Sequence, residues 1–266
     1  MIELPTERSA VTNYNPKLII LFGKPKSGKS SLMASLDNNL IIDLEDGYRS
    51  LSVMKVQARK AKDFFEIEAA LKDKMAHDGH VPYKFITIDN ATRLEEMSLE
   101  YAAGLYRNSP MGKGWGYKKD KKGNNILDAD KKPIIDDKAD VRQLPNGSGY
   151  LYLRIALKNL IDMMKPYCET LILVAHTKDK QIKKNNVEMT EMSVDLAGKL
   201  SDIICGESDA IGYVYRNGKQ TIITFEGGDD TIREARPLHL RGKRFVVAES
   251  DDNNNLHIDM SQIFIN

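Results

Sequence analysis

Residues Gly23-Lys24-Pro25-Lys26-Ser27-Gly28-Lys29-Ser30 set two glycines, a lysine and a hydroxyl at the spacing that phosphate binding requires. Gly23 and Gly28 permit a tight turn whose backbone N–H groups converge. Lys29 has the reach to meet β- and γ-phosphates, and Ser30 can give an oxygen to Mg²⁺. With Ser31 in the first helical turn, Gly23 to Ser31 form the expected nucleotide-binding set, aided by the partial positive charge of a helix N-terminus. The alternative, a chance Gly/Lys loop, lacks the flanking context present here: the apolar run Lys17–Phe22 before it and a short helical stretch from Lys29 to about Leu36 after it.

Binding phosphate is not hydrolysis, which needs a metal-holding acid, a base and a group that reads the γ-phosphate. Asp89 ends the apolar run Tyr83–Asn90 and is the expected Mg²⁺-shell carboxylate, with Asn90 as the cap of the next helix. Glu45 closes a second apolar run, Leu40–Glu45, and is the expected base for the attacking water, with Asp43 on the same strand face competing for that role. His176 ends a fourth run, Leu171–His176, where its ring can bond the phosphate or the water. No Asn-Lys-x-Asp stretch that would read guanine is present, so ATP with Mg²⁺ is the expected ligand pair.

These strand ends need a scaffold that gathers them. Continuous apolar runs suit a buried parallel sheet, and helical periodicity appears between them at 63–76, 91–106 and 150–165, where Pro166 closes the last helix. Ile211–Tyr215 and Thr221–Phe225 flank Asn217-Gly218, a hairpin signal. The expectation is an α/β fold, a mostly parallel sheet flanked by helices with a C-terminal antiparallel hairpin extension. Residues 1–266 read as a single domain, with an N-terminal arm at 1–16, a long polar insertion at 107–149, and an antiparallel edge and extension at 207–266. The insertion shows no periodicity, and the chain shows no internal repeat.

Bulk properties fit that reading. The chain of 266 residues is 41% hydrophobic and 29% charged, the balance of a globular protein. Two cysteines, Cys168 and Cys205, have neither metal-site spacing nor partners for a disulfide framework. No apolar run reaches bilayer length and residues 1–16 lack signal-peptide layout, so a cytoplasmic location without membrane attachment is expected. A formal net charge of +1 supplies no global field for nucleic acid, so any such partner must be held by local charge.

The order of parts, P-loop, IIDLED, FITIDN and LILVAH, resembles the RecA-like core ATPases, and most nearly their phage-type AAA/RecA relatives associated with single-strand annealing and recombination. That resemblance covers about residues 17–225. It implies a RecA-like P-loop core in which Glu45 activates water, Asp89 is the Walker B aspartate and His176 is the sensor. It implies single-stranded DNA as partner, a homo-oligomer, an associated single-strand-binding protein, and the host bacterial cytoplasm for a phage-encoded chain. Its DNA-contacting loops fall here at 107–149 and 177–194, with Lys113, Trp115, Tyr117, Lys118 and Lys119 in the first and Lys178, Lys180, Lys183 and Lys184 in the second. It also implies an arginine reaching a neighbour's site, for which Arg233 and Arg236 are candidates. Two other readings stay open: a P-loop small-molecule or nucleotide kinase, and a nucleotide-gated assembly protein with little turnover.

Overall fold

The computed structural model describes residue 4, residues 6–7, and residues 12–184, 187–228, 231–253 and 255–265. Residues 1–3, 5 and 8–11 of the expected N-terminal arm therefore lie outside the described residues.

The chain runs β1 (Leu18–Phe22), α1 (Lys29–Ala34), β2 (Asn39–Asp43), β3 (Met54–Gln57), α2 (Ala61–Asp78), β4 (Tyr83–Asp89), α3 (Ala91–Arg107) and α4 (Ser148–Asp162). It continues with β5 (Cys168–Ala175), β6 (Thr177–Lys184), β7 (Val187–Val194), α5 (Leu200–Glu207), β8 (Ala210–Asn217), β9 (Gln220–Thr224), β10 (Glu234–Ala235), β11 (Arg244–Ser250) and β12 (Leu256–Ile258). Ten strands form one sheet in the order β12-β11-β9-β8-β1-β5-β4-β2-β3, with β10 paired to β8. From β8 to β3 every pairing along that path is parallel, and from β8 outward it is antiparallel. The mixed α/β fold expected from the sequence is the fold found.

β1 is fully buried because both its faces are covered. Leu18, Ile20 and Phe22 enter a core with residues of α2, α3, α4 and α5, whereas Ile19 and Leu21 enter a second core under α1 with Leu32 and Met33. A strand covered on two sides reads as an unbroken apolar run, which is why it was visible in the sequence. The C-terminal segment belongs to the second core: Ile263 and Phe264 are buried, and the Phe264 ring lies 4.7 Å from that of Phe85. Asn15 fastens the two chain ends, its amide donating to the Ile265 carbonyl at 2.6 Å and accepting from the Ile265 N–H at 2.9 Å.

Helix ends are set by local chemistry. Asn90 caps α3, its side-chain oxygen accepting from Arg93 N–H at 3.0 Å. Asp63 accepts from the Arg59 and Lys60 N–H groups at the start of α2, and Gly79 ends that helix at φ 73°.

The insertion between α3 and α4 corrects the expectation of a region without periodicity or repeat. Residues 116–123, 124–131 and 132–139 are three copies of an eight-residue unit closed into a ring. Lys118, Ile126 and Ile134 are eight apart, and each N–H bonds another's carbonyl in a cycle, all at 2.9 Å. Bridges join Lys119 to Asn125, Leu127 to Pro133 and Ile135 to Tyr117, the same pairing carried once around. Asp120, Asp128 and Asp136 open the three turns, each carboxylate accepting the N–H two residues on. The units share little beyond that aspartate, so hydrophobic period could not reveal them.

We expect Phe264→Ala to cost about 3–5 kcal/mol in urea denaturation, the usual consequence of emptying a buried aromatic site. A change near zero would show that the C-terminal segment lies outside the cooperative core.

Candidate nucleotide site

The P-loop turns between β1 and α1 at the carboxyl edge of the parallel sheet, where β2, β4 and β5 also end. Gly28 has φ 99°, a backbone value that glycine adopts without cost, and Lys26 takes the left-handed region at φ 64°. Gly23 is required for a different reason. A Cβ there would sit 2.3 Å from the Val214 carbonyl, so only glycine lets the loop lie against β8. At the loop's other end, Gly28 approaches the Thr221 methyl of β9, 3.5 Å from where a Cβ would be.

Inside this turn the Lys29 ammonium donates to the Gly23 carbonyl at 2.8 Å, the Lys24 carbonyl at 3.0 Å and the Ser27 hydroxyl at 3.4 Å. Burial lowers its pKa, and the nearby Asp89 carboxylate opposes that shift. The carboxylate has the matching problem. Burial raises the Asp89 pKa, while bonds from Tyr48 and Ser30 and the charge of Lys29 pull it back. Asp89 Oδ2 accepts from the Tyr48 hydroxyl at 2.6 Å and from Ser30 Oγ at 3.3 Å. Tyr48 is itself buried, and desolvation together with the Asp89 charge raises its pKa, so it remains a donor.

Asp43 stands opposite Asp89 in the β2–β4 register, the last pair of that ladder. It does not share the surface of its neighbour Glu45. Its Oδ1 accepts from Glu45 N–H at 3.2 Å and Gly47 N–H at 3.1 Å, building the turn, and its Oδ2 faces the Lys55 ammonium at 3.6 Å. Glu45 is exposed at the mouth of the cleft. The competition between these two acids is thus divided by position: Asp43 shapes the turn, and Glu45 is the acid open to a water.

The sequence reading assigned His176 no partner. Its Nε2 lies 3.2 Å from the Asn90 amide nitrogen. Because Asn90 Oδ1 is spent on Arg93 N–H, the amide presents NH₂ to the ring, so Nε2 accepts and the proton sits on Nδ1. Nδ1 is buried without a partner among the described residues.

One cleft of about 300 Å³ is lined by Pro25, Lys26, Gly28, Lys29, Ser30, Ser31, Asp43, Glu45, Gly47, Tyr48, Asp89, His176 and Arg216. Every strand-end residue expected from the sequence is therefore brought to it. Tyr48 and Arg216 were missed. Tyr48 follows a turn and carries no motif, and Arg216 lies on a hairpin read only for its turn. Among the described residues no cluster of three His, Cys, Asp or Glu side chains could hold a metal by itself. A hard oxygen pair such as Ser30 and Asp89 suits Mg²⁺, which takes one or two protein oxygens and completes its shell with phosphate and water.

The lysine-bearing segments are more committed than expected. Trp115 packs edge-on to Tyr106 at 5.1 Å, and Tyr117 is in the repeat ring, bridged to Ile135. Lys118 pairs with Asp137 at 3.4 Å and Lys119 with the Asn125 side chain at 2.5 Å, whereas Lys113 is exposed. Residues 177–184 and 187–194, expected as a loop, form the two-stranded ribbon β6–β7. On it Lys178 donates to the Leu196 carbonyl and Lys180 to Asp202 at 2.8 Å. The side chains of Lys183 and Lys184 lie outside the described residues. Arg236 pairs with Asp209 at 3.3 Å, and the Arg233 guanidinium lies 5.9 Å from the Tyr213 ring centre.

Residues 15–237 match the family profile described as AAA domain, well over half of the chain. No functionally curated protein matches the sequence. A solved structure described as a prototypical ATPase from the type III secretion system of pathogenic bacteria is similar at 14% identity and a TM-score of 0.38, covering 75% of this chain and 51% of that one. The chain thus spans about half the length of that ATPase. Among the described residues no helix is long and apolar enough to cross a membrane.

The strained electrostatics of Asp89 give a test. Asp89→Asn removes a desolvated charge while leaving an acceptor for Tyr48. It should raise the Tm of the nucleotide-free protein by about 2–4 °C, the shift that roughly 1 kcal/mol gives at this size, and abolish Mg²⁺-dependent turnover. Thermal unfolding and a turnover assay on the same preparation check both halves.

Proposed function

The chain belongs to the AAA domain family and is a P-loop NTPase; from that premise we propose that it binds and hydrolyses ATP with Mg²⁺, as a RecA-like ATPase acting on single-stranded DNA in recombination or annealing. The observation that carries the hydrolytic reading is the convergence of Lys29, Ser30, Glu45, Asp89 and His176 on one cleft.

In this reading Lys29 exchanges the carbonyls of Gly23 and Lys24 for β- and γ-phosphate oxygens. Its desolvated charge gains more from an anion than from neutral acceptors. Ser30 and Asp89 supply the protein oxygens for Mg²⁺, which when bound neutralises charge on the phosphates. Glu45 accepts a proton from water at the mouth of the cleft, and His176, which lines the same cleft, reads the γ-phosphate or that water. The Asn90 amide orients the ring through its 3.2 Å contact with Nε2.

Support for the DNA step comes from the ribbon. β6 begins one residue after His176, and the Asp195 N–H at the ribbon's far root donates to the His176 carbonyl at 2.9 Å. The Thr92 hydroxyl in the first turn of α3 holds the Asp195 carbonyl at 2.9 Å. A strand bound to the ribbon would thus lie one covalent step from the nucleotide sensor. Lys113, Lys121, Lys122, Lys131, Lys132 and Lys138 are exposed cations of the insertion left for phosphate contact. Assembly into a homo-oligomer belongs to the same proposal.

Lys29→Ala should abolish turnover. Glu45→Gln should keep nucleotide affinity within about twofold and slow turnover on the order of 10²–10⁴-fold, as expected for loss of a general base; an unchanged rate removes Glu45 from the chemistry.

Turnover measured with and without single-stranded DNA across a salt series tests the substrate. Stimulation that fades as salt rises is the expected result, because phosphate contacts release counterions. Turnover indifferent to DNA at low salt, with no DNA binding, rejects the DNA step and leaves the ATPase.

A further inference from the structure

The P-loop is pinned from one side by a hairpin whose only sequence signal was its turn. β8 neighbours β1 on the side away from β5 and β4, so it approaches the loop opposite Ser30 and Asp89. Its Val214 carbonyl abuts Gly23, and Thr221, the cross-strand partner of Arg216, abuts Gly28. Arg216, two residues beyond Val214 on β8, lines the cleft with Lys29, Glu45, Asp89 and His176.

Arg216 is the arginine that lines this cleft; Arg107, Arg154 and Arg244, likewise without an ion-pair or side-chain hydrogen-bond partner among the described residues, do not line it. Arg49, Arg93, Arg142 and Arg236 each pair with a carboxylate, and Arg241 donates to the carbonyls of Ala235 and Arg236. Arg216 is exposed, and among the described residues its guanidinium has no ion-pair or hydrogen-bond partner. The cleft otherwise sets two cations, Lys26 and Lys29, against three acids, Asp43, Glu45 and Asp89. A metal–nucleoside triphosphate would still carry net negative charge, so a third cation in this cleft would favour its binding. A planar guanidinium offers paired donors that match two phosphate oxygens, which a lysine cannot.

We propose that Arg216 is a phosphate-binding residue that each copy of the chain supplies to its own bound nucleotide. The proposal rests on the nucleotide reading above and deepens it: the cation opposite the metal comes from the β8–β9 hairpin of the same chain, not from Arg233 or Arg236 of another.

The test uses the full chain with ATP and Mg²⁺. Arg216→Ala should weaken ATP binding at least tenfold and slow turnover on the order of 10²–10³-fold, the usual consequence of losing one oriented donor. Arg216→Lys should recover only part of the loss. The Tm of the nucleotide-free variants should match wild type, since the guanidinium has no protein partner to lose. Equimolar mixing of Arg216→Ala with Lys29→Ala copies should restore nothing, because neither chain then has a complete site. Recovery of activity on mixing would overturn the proposal by showing that Arg216 serves a neighbour. Undiminished ATP binding and turnover in Arg216→Ala would overturn it as well. Wild-type chain that neither binds nor turns over ATP would reject the underlying nucleotide reading instead.

Discussion

A carboxylate and an ammonium, both withdrawn from water and neither given a full partner, form the constraint on which the site depends. Asp89 is desolvated against the end of β4, which raises its pKa, while Tyr48, the field of Lys29 and Ser30 pull it back. Lys29 is desolvated inside the P-loop and is kept there by carbonyl oxygens, which are weaker partners than an anion. Burying such groups costs stability unless something completes them. The fold carries that cost because the flanking strands are among its best-buried elements, with β1 covered on both faces. Under the proposed function, nucleotide and metal are what complete them.

The placement of these groups is a matter of register more than of motif. Parallel pairing aligns Asp43 with Asp89, and Asp89 with Val174, so successive strands reach the same edge together. Insertion of β5 between β1 and β4 then puts His176 between the phosphate loop and the acid. Small shifts would break this. The carbonyl of Val214 against Gly23 leaves no space for a methyl group, so the loop's height above the sheet is fixed by backbone against backbone.

What could be read from sequence follows from what burial does to a strand. β1, β2, β4 and β5 lose polar residues on both faces and stand out as apolar runs, and their last residues named the site. Asn90 was legible as a cap because capping is local. The ribbon β6–β7 was hidden because Thr177-Lys178-Asp179-Lys180 is polar on both faces and gives no alternation. Tyr48 and Arg216 were hidden for another reason: each reaches the cleft through tertiary packing of a segment with no chemistry of its own. The eight-residue units escaped notice because backbone hydrogen bonds and one aspartate define them, while their apolar positions differ from unit to unit.

That ring has a consequence for how the chain could have acquired it. The Asp136 N–H bonds the Gly116 carbonyl at 2.9 Å, so the module's entrance and exit touch. A segment whose ends already meet can be removed, lengthened by another unit or exchanged without pulling α3 and α4 apart, since the join spans one hydrogen bond. Loop-closure entropy then grows only slowly with what is inserted. The 24 residues from 116 to 139 thus form a cassette set into the P-loop core. Its turns, which hold Lys121, Lys122, Asp130 and Lys138, can change in length without opening that join.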